Sequence, residues 1–324
     1  MRLHPGAIVL ACLCLFVFPQ ALAQTYPSRV VTIIVPFPAG GGHDFTARTI
    51  AARLVSRLGQ QVVVENRGGA NGQIGAQAVA RAAPDEYTIL MGSPAELVIS
   101  ESVYKSMPYD AARDFAPITL AGISPIVLVA HPSTQVKTPK EFLALVKNKP
   151  GTMSYGSPGT GSAHHLAAAW IVKLAGLSMV HVPYKGAAPA TADVLGGQIP
   201  FASVGMAPVM QHIKAGKLNA VAIMSARRLD WLPSISAIGE IPELKQIEIA
   251  QWMGFVAPAN TPATIVSRLQ KDITAILKTP DVARILIDQG VEPADYTPEA
   301  FGTFLADERK KYALLVKLAG IVAQ

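Results

Sequence analysis

Cysteine is nearly missing from this sequence: only two occur among 324 residues, Cys12 and Cys14. Both fall in the first two dozen positions, so the rest of the chain has no disulfide framework, cysteine nucleophile or cysteine-based metal site. Charge is sparse too. Only 15% of residues are Asp, Glu, Lys or Arg, while 50% are apolar, far from the composition of chains that stay disordered. Basic residues outnumber acidic ones, 28 to 22, yet no run of four or more Lys or Arg exists. The densest cluster, Arg309-Lys310-Lys311, follows Asp307 and Glu308 in a helical pattern. Tracking phosphates needs a basic stripe on one face, so no nucleic-acid partner is expected. Long apolar runs are also lacking: the longest, Ala7 to Phe18, falls short of the roughly 20 residues that span a bilayer as a helix.

That run has a different meaning. Arg2 and His4 precede it, and Pro19-Gln20 and Ala21-Leu22-Ala23 follow it before Gln24. A positive start, a short apolar stretch and small residues at a cleavage site make a signal peptide, with the cut expected after Ala23. The mature chain then has no cysteine, and its localisation is expected to be the periplasm. About 300 residues bury enough apolar surface to do without disulfides. The full length also suits roughly two domains of about 150 residues each.

Val30 to Val35 (VVTIIV) is a β-branched run of the kind buried on both faces of a parallel sheet. A Pro/Gly loop, residues 36–44, follows, and Ala47, Ile50, Ala51, Leu54 and Leu58 then recur at helical spacing up to Gly59. Asp44 is the expected N-cap. The unit repeats with a strand at Gln61 to Glu65, a helix at Ile74 to Ala82, a strand at Thr88 to Met91 and a helix opening near Ala95. Such alternation predicts an α/β fold with a parallel sheet. A break in character is read at Pro117 to Ser124, followed by a strand from Pro125 to Ala130. A second α/β series has strands at Met153 to Gly156, Met179 to Val182, Ile199 to Val204 and Leu218 to Met224, with helices at Ser162 to Leu174 and Pro189 to Leu195. Ile249 to Pro258 is a strand, and the remainder is helical: Ala263 to Leu277, Pro280 to Gln289 and Pro298 to Val322. These last helices are expected to pack back on the first lobe. The division expected is residues 24–124 with 256–324 as one lobe and 125–255 as the other.

Three loops share one design, a buried strand, a Gly/Ser/Pro turn and a helix start: residues 36–44, 156–162 and 183–189. Unpaired N–H groups and the positive end of the helix dipole stabilise an anion at such a junction, and ligands of open α/β sheets sit at the carboxyl ends of the strands. The pattern suits a small carboxylate held by backbone, Ser and Thr. Other chemistries lack their motifs. No G-x-S-x-G surrounds a serine, no H-E-x-x-H occurs, Gly40-Gly41-Gly42 is not followed by Gly-Lys-Ser/Thr, and Gly159-Thr160-Gly161 lacks a third glycine. Neither a metal nor a cofactor is expected. His164 and His165 open a helix next to Ser162, and an exported serine hydrolase using Ser162 or Ser157 stays open as the alternative. Lys185 reads as a carboxylate partner or a solvated loop lysine, and Asp193 as a pocket group or a helix-surface residue.

The string Tyr26-Pro27-Ser28, then Ile34-Val35-Pro36-Phe37-Pro38-Ala39-Gly40-Gly41 with Asp44, resembles the tripartite tricarboxylate transporter receptor (Bug) family of periplasmic solute-binding proteins. Val63-Val64-Glu65-Asn66-Arg67, Tyr155-Gly156-Ser157 with Gly159, Gly161 and Ser162, and Val182-Pro183-Tyr184-Lys185-Gly186 with Pro189 and Asp193 extend the match along the chain. The resemblance implies a two-lobed type II periplasmic-binding fold that closes on a small organic carboxylate or dicarboxylate and delivers it to membrane permease subunits. A monomer without enzymatic activity is expected. The implied site draws on Phe37, Pro38, Ala39, Gly40, Gly41 and Asp44 from the first loop and Ser157, Thr160, Gly161, Ser162 and His164 from the second. Tyr184, Lys185, Gly186 and Asp193 come from the third, with Ser93 and Glu96 completing it. Two positions depart from the family pattern: Ser93-Pro94-Ala95-Glu96 stands where Gly-Thr-Ser and a small polar stretch are common, and Gly205 stands where an Asp is expected. Glu96 reads as a gained pocket carboxylate or as a first-turn helix acid.

Overall fold

Most strands of this chain are short, and most are followed by a helix with one apolar face, so these helices cover the sheet they connect. The computed structural model describes residues 26–85 and 87–321; the leader read at residues 1–23 lies outside them. The chain opens with β1 (Val31–Val35), α1 (Gly42–Leu58), β2 (Val62–Asn66), α2 (Gln73–Ala80) and β3 (Thr88–Gly92). A π-helical turn (Ala95–Ile99) runs into the short α3 (Ser100–Val103). Then come β4 (Phe115–Ala130), α4 (Pro139–Asn148), β5 (Ser154–Ser157), α5 (Ala163–Leu174), β6 (Val180–Pro183) and α6 (Ala187–Leu195). β7 (Phe201–Gly205), α7 (Met210–Lys214), β8 (Asn219–Ile223) and β9 (Ala250–Pro258) precede α8 (Ala263–Leu277), α9 (Pro280–Asp288), β10 (Glu292–Pro293) and α10 (Pro298–Ala319).

The strand order is β2-β1-β3-β9-β4-β7-β5-β6, with β8 and β10 also pairing with β4. β1 is parallel to β2 and β3, and β5 is parallel to β6 and β7. β9 enters antiparallel between β3 and β4. The expected break at 117–124 is absent, because those residues belong to the single 16-residue strand β4. Its prolines are tolerated where the ladder is already irregular: the register with β9 shifts between Pro117 and Thr119, and that pairing ends at Pro125 opposite Ala250. From Ile126 onward the strand pairs instead with β7 and β8. One strand therefore passes from the first half of the sheet to the second.

The helix expected at Ala263 to Leu277 is α8, whose buried Val266, Leu269, Ile273 and Ile276 recur every three or four residues. It packs on β4 and α1. α10 departs from expectation. Besides β4 and the π-helical turn it packs against α5, so it bridges both halves. Its buried Phe301, Tyr312 and Glu308 meet β9: Trp252 Nε1 donates to Glu308 at 2.9 Å, and Tyr312 donates to the Ala250 carbonyl at 3.2 Å. α4 was missed from sequence despite a full capping box between Thr138 and Glu141 and Pro139 in its first turn.

Candidate functional site

The carboxyl ends of β1, β5 and β6 each deliver a loop and a helix start to one cleft. α1 begins after Gly41, three residues earlier than a cap at Asp44 would place it, so Asp44 lies in the first turn and is not the N-cap. Its carboxylate instead ties the loop down. It accepts from the Gly40 N–H at 3.1 Å and from Arg48 Nε at 2.9 Å, while Arg48 also reaches Asn66, whose Nδ2 donates to the Phe37 carbonyl. Neither α1 nor α6 has a side-chain cap, which leaves first-turn N–H groups for a ligand. α5 is capped by Ser162, whose Oγ accepts from the His165 N–H and donates to the Gly159 carbonyl.

These helix starts surround a chamber of about 50 Å³ lined by Phe37, Pro38, Gly41, Gly42, Ser162 and Ala187, with His43, Ser93, Ser124, His164, Gly205 and Gln251 among the other walls. At roughly 10–15 Å³ per water, it holds a few waters or a short ligand of a few heavy atoms. No side chain lining it is an aspartate, glutamate, lysine or arginine. An anion here is stabilised by helix ends and hydrogen bonds without a counter-ion. Phe37, Pro38 and Pro158 separate the chamber from an outer vestibule of about 720 Å³, to which Asn71, Tyr104, Thr160, Tyr184, Lys185 and Gly186 contribute. On the opposite side, Gly40, Gly41, Asp44 and Arg48 line a third recess of about 400 Å³.

The loops meet across the cleft. A Cβ at Gly186, where φ is +116°, would lie 3.1 Å from Pro38 Cδ, and one at Gly161 would lie 2.9 Å from Val103. Gly42 approaches Ala207, and Gly159 approaches Asn71, with similar closeness. The cleft is closed over the chamber.

Of the residues read from sequence, Phe37, Pro38, Gly41, Ser93, Ser162 and His164 reach the chamber, and Thr160, Tyr184, Lys185 and Gly186 reach the vestibule. Ala39 is exposed and lines neither. Ser157 is buried, with Oγ 2.7 Å from His181 Nε2 and 3.2 Å from the Gly159 carbonyl. Gly161 donates to His165 Nδ1. Asp193 is engaged by the Tyr184 hydroxyl at 2.6 Å; together with its own burial, this hydrogen bond pushes the tyrosine up to about 12. The two serines considered as nucleophiles thus serve the loop: Ser162 caps a helix, and Ser157 lines none of the three recesses.

Glu96 is neither a chamber wall nor a surface acid of a regular first turn. It lies buried in the π-helical turn behind Ser93, taking the Ser93 N–H and, at 2.6 Å, the Ser93 hydroxyl. Burial raises its acid to about 8, so near neutral pH it is mostly uncharged. Sequence reading missed His43, Gln251, Ser124 and Asn71. His43 stacks at a tilt on Phe37 and lies 3.2 Å from Gln251 Nε2, a partner 208 positions away that no local pattern announces. Burial lowers His43 to about 4 and His164 to about 3, leaving both imidazoles neutral.

A two-lobed α/β body with a closed cleft at the strand ends defines the class of periplasmic solute-binding folds. The model of the tripartite tricarboxylate transporter family receptor matches residues 46–321, and the chain belongs to this family. Protein BugT of Bordetella pertussis is 35% identical over 299 residues, which cover 92% of this chain and 91% of that one. The solved periplasmic binding protein BugD is 35% identical with a TM-score of 0.87, covering 92% of this chain and all of its own. A protein of R. palustris solved with adipate is 31% identical with a TM-score of 0.89, covering 92% and 100%. MatC of Rhodopseudomonas palustris, solved with malate, is 27% identical with a TM-score of 0.83, covering 90% and 100%. The family is one of periplasmic solute-binding receptors, which is the coarse function of this chain. Among the described residues, no helix is long and apolar enough to cross a membrane.

Proposed function

We propose that this protein, once its leader is cut after Ala23, is a monomeric periplasmic receptor that closes on a small organic carboxylate and passes it to the permease subunits of a tripartite tricarboxylate transporter. The observation that carries this reading is the convergence of three helix starts on one chamber without a charged side chain. The carboxylate lies against the uncapped starts of α1 and α6 and the Ser162 turn, and the bodies divided near residue 125 of β4 close over it. Ligands seen in similar receptors, adipate and malate, support the class. Closure draws its free energy from contacts made only in the closed form.

The test is a thermal-shift screen of the mature protein against small carboxylates, with calorimetry on each hit. A ligand at 100 times its Kd should add about 2.7 kcal/mol of stability and be recovered unconsumed. Turnover of a hit, or binding confined to uncharged compounds, overturns the reading. Gly41→Asp is the matching variant. A Cβ at Gly41 meets nothing nearer than the Pro38 carbonyl at 3.9 Å, so folding should survive while carboxylate binding falls at least about a hundredfold from like-charge repulsion.

A further inference from the structure

At the inner end of the chamber, His164 is buried and neither ring nitrogen has a hydrogen-bond partner. A buried imidazole left unpaired costs stability, so two idle nitrogens on a residue that lines the chamber point to a ligand. The reason for the idleness is Gly205, the last residue of β7. A Cβ built there would lie 3.6 Å from His164 Nε2 and 3.6 Å from Ser124 Oγ; the missing side chain leaves room for a methyl-sized group beside both atoms. Ser124 is constrained as well. Its hydroxyl donates to the Gly290 carbonyl at 3.0 Å, and a carbonyl cannot donate in return, so Ser124 Oγ offers the chamber only lone pairs.

The geometry points to an uncharged hydrogen-bond donor, a hydroxyl or primary carboxamide, at the His164, Ser124 and Gly205 end of a ligand whose carboxylate lies on the helix starts. This rests on the carboxylate-receptor reading above. A hydroxyl gives its proton to Ser124 Oγ while accepting from an imidazole N–H, and a carboxamide NH₂ donates to Ser124 Oγ and to an imidazole lone pair. A second carboxylate satisfies neither pattern: it has no proton for Ser124, and no cation lines the chamber. An ammonium would have protons to give but no buried anion to pair with, since Glu96 stands behind Ser93 outside the chamber wall. The site therefore separates this receptor from one built for dicarboxylates.

The experiment is calorimetry on the mature protein with matched probes of equal length: malonate, succinate and glutarate, their monoamides, the corresponding ω-hydroxy acids, the ω-amino acids and the plain monocarboxylates. A monoamide or hydroxy acid should bind at least about tenfold tighter than the dicarboxylate, the amino acid and the plain acid of its length. His164→Phe should abolish that preference, and His164→Gln, which keeps a donor and an acceptor, should retain most of it. Gly205→Ala fits without conflict and screens both polar atoms, so it should lose the preference with an unchanged melting temperature. If plain acids bind and the polar group adds nothing, or a dicarboxylate or amino acid binds tightest, this inference falls and the receptor reading stands. If no acid binds, both fall.

Discussion

At the scale of single residues, the chain conceals several histidines and one glutamate near the cleft while most of its other charges stay at the surface. His43, His164, His165 and His181 are all lowered by burial, to about 4, 3, 4 and 3, while Glu96 is raised to about 8. The two kinds pull stability in opposite directions. A histidine that resists protonation when folded contributes stability present above its unfolded value near 6.5 and lost as pH falls toward 4. A glutamic acid that stays protonated when folded contributes stability present below about 4.5 and lost as pH rises to about 8. Urea titrations of wild type and Glu96→Gln from pH 5 to 8 should give curves that nearly coincide at the acid end. They should then diverge in favour of the variant by on the order of a few kcal/mol at pH 8; a constant gap would show that Glu96 is charged in the fold. Residues of this kind were only partly legible in the sequence. Ser93, Ser162 and His164 stood beside recognisable turns, whereas His43 and Gln251 become neighbours only through the long return of the chain to β9. Glu96 followed a Ser-Pro that looked like a helix start, but the π-helical turn rotates its carboxylate inward, a deviation that local propensity does not encode.

Elements were more legible. Apart from α4, α7, β10 and the first part of β4, the strands and helices of both halves lie within a few residues of where the apolar periods place them, and α8 spans the predicted residues because its buried face alone dictates its length. The first part of β4 reads as a break in the sequence because proline and glycine normally punctuate structure. Here they fall at bulges and at the exchange of partners, where a ladder donor is not needed. Packing of α10 on the sheet depends on one such small residue. A Cβ at Gly254, in β9, would lie 2.2 Å from Cζ of the fully buried Phe301. Gly254→Ala should lower stability by about 1–3 kcal/mol by forcing α10 off the sheet, read as an earlier denaturation midpoint. Gly302→Ala, one residue along the same helix with only Pro117 at 3.7 Å, should leave the midpoint unchanged or raise it slightly. Equal losses in both would sever the argument from this contact.

At the scale of the whole molecule, the closed cleft depends on backbones that touch without side chains between them. Gly186 is the clearest case, since its φ of +116° disfavours any side chain and Pro38 of the opposing loop occupies the space a Cβ needs. Gly186→Ala should wedge the loops apart. Carboxylate affinity is expected to fall by about tenfold or more, because closure is then opposed while the chamber walls are retained. Small-angle scattering should show that saturating ligand no longer shrinks the variant to the wild-type radius. A variant that closes normally would place the closing contacts elsewhere.

The position of β9 between β3 and β4 has a consequence for the history of each molecule. It is a middle strand of the sheet, yet it is made well over a hundred residues after both its neighbours have begun. On the proposed route of export behind a cleaved leader, a chain that emerges N-terminus first presents β3 and the leading part of β4 with their facing edges unpaired until residues 250–258 arrive. Exposed edges of this kind recruit other chains. The most vulnerable moment for this protein is thus during its own delivery, when about three-quarters of it has crossed and the strand that seals it is still on the other side.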